Sequence, residues 1–308
     1  MAETSGPGRP YCPKSLSRRE FTRTIFTSAA VASFPGSPQA HDSISQAPRP
    51  QAEMPVTRLF RSLHGELRKS LCFPFDRRVR SRIVKPWGVE SPTISDLSST
   101  QQSDCREIFK TVCSVDGHGR FMKQMQEDYG GFERYHIAFF GEPGTALPFE
   151  WHLTGRHVTI QVDGNNSEIR SPIFLGHSDA KNNVWAGPGI LADRIYKEVD
   201  RDRNARILEQ TGNARALASS VGRDHPGLTL NELDPSLRAM AHGLVDELIG
   251  PFRSVNISKS DEPLRLLFYQ ASMSSNATWD AWKLEGMGFD CYYHRTPHVH
   301  TWLNLARR

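Results

Sequence analysis

Two stretches of this chain repeat one pattern, and that repetition constrains the fold more than any other feature. In each, an apolar run ending in two aromatic residues (Phe139-Phe140, then Phe268-Tyr269) is followed by a polar loop and by Trp-x-Leu-x-Gly, first as Trp151, Leu153 and Gly155 and again as Trp282, Leu284 and Gly286. Period-two alternation predicts strands over 135–140, 149–153, 157–162 and 172–175, separated by the turn formers Gly-Glu-Pro-Gly, Thr-Gly-Arg and Asp-Gly-Asn-Asn. Four more are predicted over 264–269, 279–284, 289–294 and 298–305. The pattern points to a duplicated β unit whose copies meet in one sheet or in two packed sheets. A chance recurrence of a short pattern is the competing reading.

Between and before these stretches the apolar period changes to that of a helix. Leu59, Phe60, Leu63, Leu67 and Leu71 recur at helical spacing, as do Ile108, Phe109 and Val112, and then Phe121, Met122, Met125 and Tyr129, so three amphipathic helices are expected in the first part. A further helix is expected from about Ile190 to Glu209, and another over 235–248, where Asp234 can cap the first turn and Pro235 suits the first helical position. The fold class is therefore α+β: mainly antiparallel sheet from two possible repeats, packed with amphipathic helices. A length of 308 residues permits one large domain or two small ones. A single domain over 56–308 is the expectation.

The amino terminus reads differently. Ser17-Arg18-Arg19-Glu20-Phe21-Thr22-Arg23 resembles the twin-arginine export consensus, Thr24 to Phe34 is modestly apolar, and Ala30-Val31-Ala32 fits a signal-peptidase site. A leader over 1–32 and a Pro-, Ser-, Gln- and Ala-rich linker over 33–55 are expected. The expected partners are the twin-arginine machinery and a signal peptidase, and the expected location is the periplasm or beyond it in a bacterium. The formal charge of +4 resides largely there: five of the 38 basic residues but only two of the 34 acidic ones fall in residues 1–40. A near-neutral remainder offers no electrostatic reason to bind nucleic acid or anionic lipid, and no apolar stretch reaches the ~18 residues of a membrane span.

Chemistry is most legible near the carboxyl end. In the strand predicted over 298–305, His298, His300 and Trp302 share one face, with the imidazoles ~7 Å apart along the strand. Two such side chains can converge on one ion, and neutral imidazole suits Zn, Cu or Fe. His157, opening a strand with apolar residues on one side and His, Thr and Gln on the other, is the candidate third ligand; His152, His177 and His294 are weaker ones. The competing reading places these imidazoles on a solvated sheet face or in a polar cluster. Arg156 and Glu285 are weak candidates for supporting catalysis, and Arg156 can pair with a carboxylate or phosphate.

Several classes are excluded. There is no Gly-x-Ser-x-Gly elbow, His-Glu-x-x-His, Walker loop or dinucleotide fingerprint. Five cysteines lie scattered without a Cys-x-x-Cys pair, and outside the leader Cys72, Cys105, Cys113 and Cys291 allow up to two disulfides. Glu150, Asp163, Asp280, Glu285 and Asp290 lie on or beside strands without a spacing that selects an acid–base pair. Trp151, Trp185, Trp279, Trp282 and Trp302 suit a hydrophobic core or a sugar-binding surface.

Five segments taken together, 139–144 (Phe-Phe-Gly-Glu-Pro-Gly), 151–157 (Trp-His-Leu-Thr-Gly-Arg-His), 172–176 (Pro-Ile-Phe-Leu-Gly), 282–286 (Trp-Lys-Leu-Glu-Gly) and 296–302 (Thr-Pro-His-Val-His-Thr-Trp), resemble the domain-of-unknown-function family DUF3500. The likeness spans Thr57 to the carboxyl end and is to exported members with a twin-arginine leader. His157, His298 and His300 match the histidine-bearing motifs of that family, which has no assigned activity. The resemblance supports the metal site and implies no particular activity; the residues themselves point to an exported metal-binding protein, a hydrolase or an oxidoreductase, and the alternative is a non-catalytic exported module that binds a carbohydrate or peptide.

Overall fold

A computed structural model describes residues 54–76, 92–164, 167–179, 182–201, 207–209, 228–253, 255, 264–270, 279–286, 289–295 and 297–305. The expected leader and nearly all of the expected linker lie outside these residues; the described ones belong to one compact unit, Ala52–Arg308. No helix among the described residues is long and apolar enough to cross a membrane.

Local sequence signals account for most helix ends. Helix α3 (Ser99–Val112) opens with a capping box: Gln101 N–H donates to Ser98 Oγ while the Gln101 side chain accepts from Ser98 N–H. Helix α4 (Val115–Tyr129) is capped by Ser114 and stops at Gly130, whose φ of 82° is the left-handed conformation that a side chain disfavours. Helix α6 (Pro235–Ile249) begins as the sequence predicts, with Pro235 in its first turn and Asp234 accepting from Ser236 N–H and Leu237 N–H. The expected first helix is instead two, α1 (Pro55–Ser62) and α2 (Gly65–Leu71), because the chain turns extended at Leu63 and His64. Helix α5 (Gly187–Arg201) is shorter than predicted. Ile207–Glu209, assigned to it by its apolar residues, is strand β6, whose backbone pairs with β8 (Arg265–Gln270); periodicity cannot distinguish so short a run.

The strands form one sheet. Its order is β1 (Cys72–Phe73), β2 (His136–Phe140), β3 (Glu150–Gly155), β4 (Val158–Asp163), β5 (Ile169–His177), β11 (Val299–Leu305), β10 (Phe289–His294), β9 (Ala281–Gly286), β8 and β6, with β7 (Leu228–Thr229) also on β8. The repeat read from the sequence is visible in the registers. Phe139 faces Trp151 across β2 and β3 as Phe268 faces Trp282 across β8 and β9, and Leu153 faces Ile160 as Leu284 faces Cys291. Even the parallel outer strands correspond: Cys72 pairs with Phe139 and Ile207 with Phe268. The halves join antiparallel through β5 and β11, where Ile173 lies opposite its counterpart Leu303, so a pseudo-twofold axis passes through that pair.

One sheet face and the helices share the principal apolar core, from Leu59, Phe109, Phe121 and Leu244 to Leu153, Ile160, Trp282 and Leu303. The opposite face is buried as well. Thr159, Gln161, Lys283 and Tyr292 are each at most 4% exposed, so the His, Thr and Gln side of the fourth strand is not the solvated surface that alternation implies. Alternation identifies which residues share a face; it does not say what covers that face.

Candidate metal centre

Three elements converge where β4, β5 and β11 meet the end of α4. The turn Arg156-His157 joins β3 to β4, α4 supplies Gln124 and Asp128 one helical turn apart, and the chain entering β11 supplies His298 and His300. His157 is therefore in the turn, not the strand, with a φ of 62°. That conformation costs a residue with a β-carbon roughly 1–2 kcal/mol. Gly288 holds the matching place in the second hairpin, where Gly286 and Phe289 pair as Gly155 and Val158 do, although its own structure lies outside the described residues. One repeat thus carries the glycine such a turn favours, and the other a strained imidazole.

The strain is held from several directions. Tyr135 packs under Gly155, where a Cβ would lie 2.4 Å from its ring, and donates its hydroxyl to the Arg156 carbonyl at 2.5 Å. His157 Nδ1 lies 2.7 Å from Asp128 Oδ2. The Asp128 side chain is 1% exposed and also accepts from Gln124 Nε2 and from the Ser178 backbone N–H, each at 2.8 Å. Burial acts to raise the Asp128 carboxyl, but the hydrogen bonds from His157, Gln124 and Ser178 outweigh it and hold the group well below the usual carboxylate range. An anionic Asp128 keeps the His157 proton on Nδ1 and leaves the Nε2 lone pair pointing away from the helix.

That lone pair faces the other two imidazoles. His157 Nε2 is 3.1 Å from His298 Nε2, and ligand atoms of His157, His298 and His300 all lie within 4.8 Å of one another. Two imidazoles bound tetrahedrally to one ion at ~2.0–2.1 Å bring their nitrogens to roughly 3.3 Å, so this spacing suits a shared ion. Among the described residues this is the one group of three or more potential ligands so arranged. The His298 and His300 ring centroids are 4.5 Å apart, closer than strand pitch allows, because His298 precedes β11. Gly176 provides the space: it lies opposite His300 across β5 and β11, and a Cβ there would be 2.8 Å from His300 Cδ2 and 3.1 Å from His157 Cδ2.

The other candidates are not among the three converging imidazoles. Arg156 is exposed at the rim, with Nη2 3.2 Å from Ser178 Oγ. Glu285 is on β9, two strands from β11, paired with Lys283 at 2.6 Å. His177 is fully buried, taking the Val184 N–H on Nδ1, and His152 lies 3.4 Å from Glu150. His294 adjoins the cluster, with Nε2 2.9 Å from His300 Nδ1. Glu150 lies opposite Asp163, and Glu285 opposite Asp290, on neighbouring strands. Trp151, Trp185, Trp279, Trp282 and Trp302 are all at most 7% exposed, so core packing accounts for them and they form no open sugar-stacking surface. Cys72, Cys105, Cys113 and Cys291 are all free.

Sequence reasoning missed Asp128, Gln124, Ser178 and Gly176. Two signals were available. Gln124 and Asp128 are a polar pair four residues apart beside the apolar positions of an amphipathic helix, and Gly176 ends an apolar strand, where glycine often marks a close approach.

Comparison with known proteins places the chain in a family of unknown function. The family described as "Protein of unknown function (DUF3500)" matches residues 46–199, half of the chain, and the chain belongs to it. No curated protein matches. No solved structure matches either.

Proposed function

We propose that this DUF3500 protein is an exported metal-binding protein in which His157, His298 and His300 hold one transition-metal ion, Zn, Cu or Fe. The observation that carries the reading is the convergence of three imidazoles within 4.8 Å, one of them in a strained turn and tied to a buried carboxylate. Strain of this kind persists only where surrounding contacts enforce it, and it concentrates at functional sites. Three neutral nitrogen ligands leave a coordination position open, and an ion so held can activate water or bind a substrate oxygen. On this reading the chemistry is metal-assisted hydrolysis or oxidation–reduction. Arg156 at the rim supplies a cation for an acidic group of the substrate. Asp128 orients His157 and stays unprotonated.

Export rests on the leader signals around Arg18 and Arg19. Elemental analysis of protein purified from the cell envelope without chelators tests both parts. Near-stoichiometric metal that is lost in a His298→Ala, His300→Ala double variant is the expected result. Absence of metal from both samples refutes the site, and retention of an Arg18→Lys, Arg19→Lys variant in the cytoplasm checks the export route.

A further inference from the structure

The Asp128 carboxylate sets the tautomer of His157, and the arrangement around His300 shows how a second one is set. His294 and His300 are direct cross-strand neighbours on β10 and β11. Their rings stand perpendicular with centroids 4.7 Å apart, and His300 Nδ1 lies 2.9 Å from His294 Nε2. At that distance one nitrogen carries the proton and the other accepts it. If His300 accepted, its own proton would sit on Nε2 and block ligation. If His300 donates, its Nε2 keeps a lone pair for an ion. The His294 ring is itself restrained, with Trp302 5.6 Å away and inclined by 30°, and Tyr292 6.1 Å away.

We infer that His294 is a positioning residue: it accepts a hydrogen bond from His300 Nδ1–H and thereby directs the His300 Nε2 lone pair toward the point that His157 and His298 face. This inference rests on the metal reading for its purpose, though not for the hydrogen bond itself. Ligating histidines ordinarily donate their second N–H to a carboxylate, carbonyl or water. Here the two supports differ. Asp128 holds His157 with a carboxylate, and His294 holds His300 with a ring nitrogen, its ring set against Tyr292 and Trp302 of the aromatic layer on the sheet face away from the helices. The second repeat therefore contributes one support and two ligands, the first repeat one ligand and the room left by Gly176.

Two measurements on the full chain test this. In metal-stripped protein, long-range nitrogen–proton NMR of the imidazoles should find His300 protonated on Nδ1 alone; a proton on Nε2 overturns the inference. In Co(II) titrations against a competing chelator, His294→Phe should lower affinity by ~10–100-fold with one ion still bound at saturation, and His294→Gln, whose amide oxygen accepts a hydrogen bond, should recover most of the loss. Wild-type affinity in His294→Phe, or equal losses in both variants, overturns it. If His294→Phe does not fold, the NMR result and His294→Gln still decide. Failure of the wild-type protein to bind Co(II) refutes the metal reading instead, leaving the tautomer of His300 to be judged by NMR.

Discussion

Adding one methyl group at residue 176 should disable the proposed site without altering any ligand. The Cβ of a Gly176→Ala variant would lie 2.7 Å from the Val299 carbonyl oxygen, 2.8 Å from His300 Cδ2 and 3.1 Å from His157 Cδ2. Ordinary carbon contacts begin near ~3.5 Å, so the His300 ring would have to retreat by ~0.7 Å and the His157 ring by ~0.4 Å. A metal site tolerates only ~0.2 Å in its bond lengths, so both displacements exceed it. Overpacking of this sort costs ~1–3 kcal/mol, which for a domain of this size lowers the thermal midpoint by roughly 2–4 °C per kcal/mol. The assay pairs thermal unfolding of metal-free protein with Co(II) or Zn(II) titration, and at least about tenfold weaker binding is expected. In a His300→Ala background part of the stability loss should disappear, because one of the colliding atoms is gone. Wild-type affinity and an unchanged midpoint in Gly176→Ala would refute the argument.

Further outcomes follow from other parts of the structure. Gly119 is the internal control: it lies inside α4 with nothing within 4 Å of an added Cβ, so Gly119→Ala should stabilise the protein by ~0.5–1 kcal/mol in denaturant unfolding and leave metal binding unchanged. Asp128→Asn removes the anion that orients His157 and should weaken Co(II) binding by ~10–100-fold, measured by chelator competition. Burial pushes the Cys105 and Cys113 thiols up to about 12 and Cys72 up to about 11, so these thiols should react with a thiol reagent at pH 8 only after unfolding; rapid reaction of the native protein would contradict this. Hydrogen bonds from the Ser236 side chain and the Leu237 backbone N–H lower the Asp234 carboxyl. Its contribution is therefore complete above the unfolded carboxylate pKa and is lost as pH falls through the folded one, and Asp234→Asn should flatten the acid limb of a stability–pH curve.

The legibility of this protein differed by level. Each strand that two-residue alternation predicted is present within a few residues, and the Trp-x-Leu-x-Gly repeat proves to mark equivalent strands with equivalent registers. The misreadings occurred where a local signal was too short. Ile207–Glu209 looked like the tail of a helix because three residues cannot show a period, and only β8 gave those backbone groups partners. His157 was assigned to a strand because its neighbours alternate, whereas the Tyr135 hydroxyl and Gly155 fix a turn there.

The sequence by itself determined the two β units, the capped helices and the histidine pair at the start of the last strand, because these depend on side-chain period and on neighbours a few residues apart. Tertiary structure decided what those pieces become together. Joining β5 to β11 brings Gly176 opposite His300, and the packing of α4 sets Asp128 against His157, contacts between residues far apart in the chain. No local pattern encodes such contacts, since they arise only when loop closure and burial of both sheet faces have fixed the strand order.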